Sequence, residues 1–339
     1  MKVREGGKRR SVVVGALMAA CMALAGGAAS AQGSSAESSP AQPRDTDAIR
    51  IVIPFGAGSG TDFYGRLFSK YLAESLGRTV IVENRPGANG AIAAEQVAHA
   101  APDGKTLFLS SNTAVAANPH LMKNLRYDPV KDFVPISKMG TLTFFVMVEA
   151  GSPLKSMADL VASARQDPNK VSYGAANSLS MVSGVKLGQL AGVELLQVPY
   201  KNPPQIVTDL LGGRLTFAFL DMATASSLAK ANKVRALAVL ADSRSPALPD
   251  VPTMKELGFG EFDVVAWFGL FAPAGTPDPV VQDLSRHVNR ILENPEVRER
   301  TTAAGFDVFG STPEELGGYL RAQIALWGKL TADAGLQPQ

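Results

Sequence analysis

From Ile49 onward the chain alternates short β-branched runs with stretches in which apolar residues recur every three or four positions. Ile49-Arg50-Ile51-Val52-Ile53 reads as a strand that stops at a glycine-rich turn. Thr61 to Leu76 then repeats apolar residues at helical spacing through Phe63, Tyr64, Leu67, Phe68, Tyr71 and Leu72. A strand over 79–82, a turn at Arg85-Pro86-Gly87, a small-residue helix over 90–100 and a strand over 106–109 follow. This βαβαβ order predicts a parallel sheet with right-handed crossovers. After the apolar run 143–148 a second α/β unit is predicted, with helices over 157–165, 181–190 and 205–211 and strands over 171–173, 195–198, 215–219 and 235–240. The chain closes with helices over 277–292, 295–304 and 313–334, each opened by a proline in its first turn. Helices placed after the second unit pack most economically back onto the first.

The first 47 residues break this pattern. Lys2, Arg4, Lys8, Arg9 and Arg10 precede an almost wholly apolar or small stretch over 11–27, and Ala29-Ser30-Ala31 supplies an A-x-A cleavage site. Residues 1–31 therefore read as a cleaved secretory signal peptide, and 32–47, rich in Ser, Pro, Ala and Gln, as a flexible tether. The whole chain has 339 residues, 46% of them apolar, enough for about two hydrophobic cores. Its formal charge of +2 becomes −2 once five bases and Glu5 leave with the leader, with 28 Lys+Arg against 30 Asp+Glu remaining. That balance offers no basic face for a phosphate backbone, so no nucleic-acid partner is expected. The single cysteine, Cys21, lies in the leader, which removes disulfides and thiol chemistry from the mature chain. No later apolar run approaches the roughly 20 residues that span a bilayer.

The strongest local motif is Pro54-Phe55-Gly56-Ala57-Gly58-Ser59-Gly60-Thr61-Asp62, between a strand and a helix. Its glycines let the backbone turn sharply and bring amide N–H groups to a ligand, and the helix adds its positive end, so an anion is the natural guest. A plain turn capped by Thr61 or Asp62 is the bland alternative. A dinucleotide site is the sharper one, because Glu83 ends the next strand, although Thr61 stands where a third glycine belongs. Loops after other predicted strands, at Ser110-Ser111-Asn112-Thr113, Gly174 to Ser178 and Asp221 to Thr224, offer hydroxyls and amides where open α/β sheets bind ligands. His99, His120 and His287 have no partner at metal-ligand spacing, and no G-x-S-x-G elbow is present. Neither a metal, a cofactor nor an enzyme is indicated.

Several separated motifs together resemble one known family. They are Ile51-Val52-Ile53-Pro54-Phe55 with its glycine-rich turn, Val82-Glu83-Asn84-Arg85-Pro86-Gly87-Ala88-Asn89-Gly90, Ala101-Pro102-Asp103-Gly104, and Tyr127 to Phe133. Val198-Pro199-Tyr200-Lys201, Leu210-Leu211-Gly212-Gly213, Ser245 to Thr253 and Trp267-Phe268-Gly269-Leu270 follow in order. The chain resembles, over about 48–336, the substrate-binding proteins of tripartite tricarboxylate transporters, also called TctC-like or Bug proteins.

The resemblance implies an α/β, two-lobed periplasmic binding protein of the type II-like, Venus-flytrap kind, with two strands crossing between lobes near 144–148 and 264–269. Lobe 1 is then 48–147 plus 268–339, and lobe 2 is 148–267. A monomeric periplasmic receptor is expected, one that captures a small organic carboxylate and hands it to the membrane subunits of the transporter. The same flytrap signalling to a two-component kinase, and a periplasmic nucleotide-dependent oxidoreductase, are the alternatives. In the family the ligand carboxylate is held largely by backbone amides and water from the first two loops, here Phe55, Gly56, Ala57, Gly58, Ser59, Gly60, Thr61 and Ser110, Ser111, Asn112, Thr113. The second lobe would add Ala176, Asn177, Ser178, Tyr200 and Asp221. Two departures stand out: Gly56-Ala57-Gly58-Ser59 replaces a proline-containing loop, and Lys201-Asn202-Pro203-Pro204 replaces a Lys-Gly start of the next helix. Two roles are open for Asp221, meeting a ligand ammonium or capping the following helix.

Overall fold

The computed structural model describes residues 47–338 apart from Asn169, Pro246, Glu261 and Asp263; the expected signal peptide, Cys21 and tether residues 32–46 lie outside the described residues. The first sheet contains β1 (Ile49–Ile53), β2 (Val80–Asn84), β3 (Thr106–Ser111), β4 (Phe133–Leu142), β10 (Ala266–Pro273) and β11 (Phe306–Asp307), in the order β11-β4-β10-β3-β1-β2. The second contains β5 (Phe144–Glu149), β6 (Ser172–Ala175), β7 (Leu196–Pro199), β8 (Phe217–Asp221) and β9 (Val234–Leu240), in the order β7-β6-β8-β5-β9.

The expected parallel pairing holds for β1 with β2 and β3, and for β6 with β7 and β8. The ladders of the later strands are antiparallel: β10 lies against β3 and β4, β11 against β4, and β5 against β8 and β9. The cause is the exchange of chain between sheets. β4 leaves the first sheet at Leu142, opposite Ala266, where β10 re-enters, so the two strands must run in opposite senses. Thr143 is the switch residue. Its N–H donates to the Gly305 carbonyl, and its own carbonyl accepts from Met222 N–H on the second sheet's side.

The helices obey their local signals. α1 (Gly60–Leu76) starts at Ser59, whose Oγ accepts from Asp62 N–H, and stops at Gly77 in the left-handed region. α5 (Ser178–Ala191) opens with an Asn177/Ser180 capping box, and α6 (Pro203–Leu211) opens with Asn202 and two prolines. α7 (Met222–Lys230) is capped by Asp221. α2 (Ala91–Ala98), the short α3 (Asn118–Leu121) and α4 (Met157–Gln166) complete the βα connections. At the C-terminal end α8 (Asp278–Glu293), α9 (Pro295–Ala303) and α10 (Pro313–Asp333) follow β10, and both α8 and α10 pack against β4. α8 buries Val281, Leu284, Val288 and Ile291, one stripe at helical spacing.

β10 is buried along its whole length; its Phe268 packs with Tyr64 of α1 and Phe306 of β11 at ring-centroid separations of 6.1 and 5.8 Å, and Tyr64 and Phe306 lie 4.8 Å apart. The buried Tyr64 hydroxyl donates to the Met139 carbonyl at 2.7 Å, and burial pushes its pKa up. This aromatic knot pins the N-terminal half of α1 against β4 and β10. It thereby fixes where the glycine-rich loop points.

Candidate functional site

The carboxyl ends of β1, β3, β6 and β8 meet between the two sheets, and each feeds a turn that starts a helical segment. The first residues of α1, α5 and α7, and of α6, which follows β7, line one cavity between the sheets. Ser59, Gly60 and Thr61 line it from α1, Asn177 and Ser180 from α5, Pro203 and Pro204 from α6, and Asp221 and Thr224 from α7. Each N-terminus presents a positive pole equivalent to roughly half an elementary charge. Among the described residues that line the cavity none is Lys, Arg or His, and Asp221 is the sole titratable side chain. The rest of the wall is apolar, from Leu142, Phe144, Leu179, Ile206, Phe219 and Phe268 among others.

Of the residues singled out in the sequence, the structure brings Phe55, Gly58, Ser59, Gly60, Thr61, Ser111, Asn112, Thr113, Asn177 and Asp221 to the cavity wall. Six others do not line it. Ala57 is exposed beside the loop, and Gly56 lies against Asn202. Ser110 is buried in β3, where its Oγ donates to the Ser111 carbonyl. Ala176 sits in the core of the second sheet. Tyr200 turns away and donates to Asp209 Oδ2 at 2.7 Å; burial and that carboxylate push its pKa up to about 12.

Ser178 joins the two halves rather than lining the wall. Its Oγ lies 2.9 Å from Thr113 Oγ1 and accepts from Asn112 Nδ2 at 3.1 Å, while its N–H donates to Thr113 Oγ1 at 3.3 Å. Ser178 and Thr113 are both buried, so the loop after β3 and the start of α5 are joined by a water-excluded polar bridge.

The glycine-rich loop spends some of its amides on itself. Gly58 N–H donates to Asp62 Oδ2, and Ser59 N–H to the Gly56 carbonyl. Burial acts to raise the Asp62 pKa, but hydrogen bonds from Arg66, Gly58 N–H and Asn84 outweigh it and hold the carboxyl below its usual range. The helix cap is Ser59 rather than Thr61 or Asp62. Glu83, the acid that suggested a dinucleotide, is away from the cavity wall and accepts from Arg85 and Gln96.

Asp221 takes the capping role of the two left open. Its Oδ1 accepts from Thr224 N–H and its Oδ2 from Thr224 Oγ1, each at 3.0 Å. Its carboxylate also lies close against Gly60 at the start of α1. A Cβ on Gly60 would lie 2.6 Å from Asp221 Oδ1, so only glycine allows this approach. Burial pushes the Asp221 pKa up, against the hydrogen bonds from Thr224.

The apolar wall was not legible as a site. Leu142, Phe144 and Phe268 carry the same hydrophobic signal as any core residue, and only the exchange of strands between sheets turns them toward a shared cavity.

Two α/β sheets joined by a double exchange of chain, with helix N-termini facing a cavity between them, define a solute receptor of the periplasmic binding-protein class. The chain belongs to the tripartite tricarboxylate transporter family receptor group, whose TctC profile matches residues 65–336. It is 34% identical over 305 residues to the protein BugT of Bordetella pertussis, covering 89% of this chain and 92% of that one. Among solved structures, an R. palustris protein with adipate superposes with a TM-score of 0.84 at 31% identity, covering 87% of this chain and 100% of the other. MatC from Rhodopseudomonas palustris with bound malate gives 0.78 at 31% identity, covering 84% and 98%.

Proposed function

We propose that this chain is a non-catalytic periplasmic receptor that closes around a small organic carboxylate and delivers it to the membrane subunits of a tripartite tricarboxylate-type transporter. One observation carries the reading: four helix N-termini face a single cavity that no Lys, Arg or His lines among the described residues. Such a cavity compensates an anion with backbone dipoles, and its apolar wall takes the carbon skeleton. The adipate and malate held by two structural relatives support the same class of ligand.

The bridge from Thr113 to Ser178 joins the two halves and favours their closed arrangement, while the shift toward closure on binding comes from contacts the ligand makes only in that arrangement. Sheet membership supports a first lobe that ends at Leu142 rather than 147 and resumes at Ala266 rather than 268.

Calorimetric titration and thermal shift with a panel of mono-, di- and tricarboxylates test the binding claim. At least one should bind with micromolar affinity or better, about −8 kcal/mol; failure of all of them overturns it. Uptake of that carboxylate by cells carrying the transporter, lost on deletion of this chain, tests delivery. The N-terminus of the mature protein tests export: Gln32 recovered from a periplasmic extract agrees with it, and an intact chain in the cytoplasm refutes it.

A further inference from the structure

The receptor reading leaves open what the ligand carries beyond its carboxylate, and the four helix starts around the cavity differ in what they can still donate. The first N–H groups of a helix have no partner within it, so a start grips an anion through those that are not already spent. In α1 the Asp62 N–H is taken by Ser59 Oγ, but Thr61 lines the wall, 5% exposed, with neither its N–H nor its hydroxyl bonded among the described residues. In α5 the N–H groups of Ser178 and Ser180 are taken by Thr113 Oγ1 and Asn177 Oδ1, and that of Leu179, which lines the wall, is left.

The other two starts offer no such donor. α7 spends the Met222 N–H on the Thr143 carbonyl and the Thr224 N–H on Asp221 Oδ1, and Ala223 lies off the wall. α6 has Pro203 and Pro204 in its first two positions, where no N–H exists, and the third N–H, on Gln205, is taken by Asn202 Oδ1 at 3.3 Å. The α6 residues that line the cavity are Pro203, Pro204, Ile206 and Val207, all apolar. The cavity is therefore polarised: donors remain at the α1 and α5 starts, while the α6 side is a hydrocarbon surface. A polar group set against that surface loses its water and finds no partner there, which is costly.

Resting on the receptor reading above, we infer that the ligand is a carboxylate with an apolar far end, alkyl or aryl, that packs on α6, and that Pro203 and Pro204 are the residues that exclude a polar end of any charge. Proline suits both duties, because its ring adds apolar surface and fits the first turn of a helix while removing the donor.

The test is calorimetric titration at neutral pH on the skeleton of the tightest carboxylate in the panel, comparing far ends that differ in polarity and charge. On a six-carbon chain the set is hexanoate, 6-hydroxyhexanoate, 6-aminohexanoate and adipate. The methyl-ended acid should bind about tenfold or more tightly than each of the other three, the neutral alcohol included. Replacing both prolines, Pro203→Ala with Pro204→Ala, restores two N–H groups in a helix that alanine favours and leaves the Asn202 cap in place. In that variant the penalty of the alcohol and of adipate relative to hexanoate should shrink about fivefold or more, while that of the ammonium, which accepts no hydrogen bond, should not. The wild-type ratios need no variant. Equal or tighter wild-type binding of any polar-ended member, or unchanged ratios in a folded double variant, overturns this inference and leaves the receptor reading standing; binding of no carboxylate at all overturns both.

Discussion

Replacing Thr113 with valine removes one hydroxyl from the bridge between the two halves and keeps the shape of the side chain. Thr113 Oγ1 accepts from Ser178 N–H at 3.3 Å and lies 2.9 Å from Ser178 Oγ. Ser178 has no exposed surface, so in the closed arrangement the lost partner is not replaced by water. A buried polar group left unsatisfied costs about 1–3 kcal/mol. In an open arrangement water reaches the same groups, so the penalty falls on closure alone. A ligand that binds only the closed form should then lose affinity about 5- to 150-fold. The assay is calorimetric titration with the tightest carboxylate from the panel, with small-angle scattering to read closure at saturation. Thr113→Ser, which keeps the hydroxyl, should restore most of the affinity. An unchanged Kd in Thr113→Val would refute the claim that this bridge favours closure.

Three further outcomes follow from packing and charge. Gly305 has φ +80 and a Cβ there would lie 1.9 Å from Met222 Cβ, so Gly305→Ala should cost about 3 kcal/mol or more by chemical denaturation; a loss under about 1 kcal/mol would contradict it. Tyr64→Phe removes the donor to the Met139 carbonyl and should lower stability by about 1 kcal/mol, read as a shifted denaturation midpoint with an unchanged slope. The Asp62 carboxyl has a folded pKa held below its ordinary value of 3.8, so its stabilisation is present above that value and is lost as pH falls through the folded one. The stability of the wild type should therefore fall more steeply below about pH 4 than that of Asp62→Asn; parallel profiles would remove Asp62 from the acid response.

Much of the local structure was legible because its causes are local. Ser59, Ser156, Asn177, Asn202 and Thr312 each accept from the backbone N–H three residues onward, so the helices begin at these residues, although the sequence pattern offers Thr61 or Asp62 as the cap of α1 and starts the later helices at Met181 and Gln205. β4 was not anticipated. Pro135 and Gly140 interrupt its alternation, and its ladder with β10 slips register twice, so the period of two that marks a strand never accumulates. Pro135 is tolerated because β11 is only two residues long and pairs at the far end of β4, leaving the proline's other side to the C-terminal helix.

The sequence by itself determined that the chain is α/β, that it has two units, and that its strand ends carry hydroxyl- and glycine-rich turns. All of these follow from the period of apolar residues and from short-range hydrogen bonding. Which turns face one another was decided only in three dimensions. Tyr200 and Asp221 both end second-sheet strands or the turns that follow them, yet one points away to Asp209 and the other reaches Gly60 across the cavity. The exchange of β5 and β10 between sheets sets that difference. It turns ordinary core residues into a ligand wall and aims four separate helix dipoles at one point, through contacts between residues far apart in the chain that no local pattern encodes.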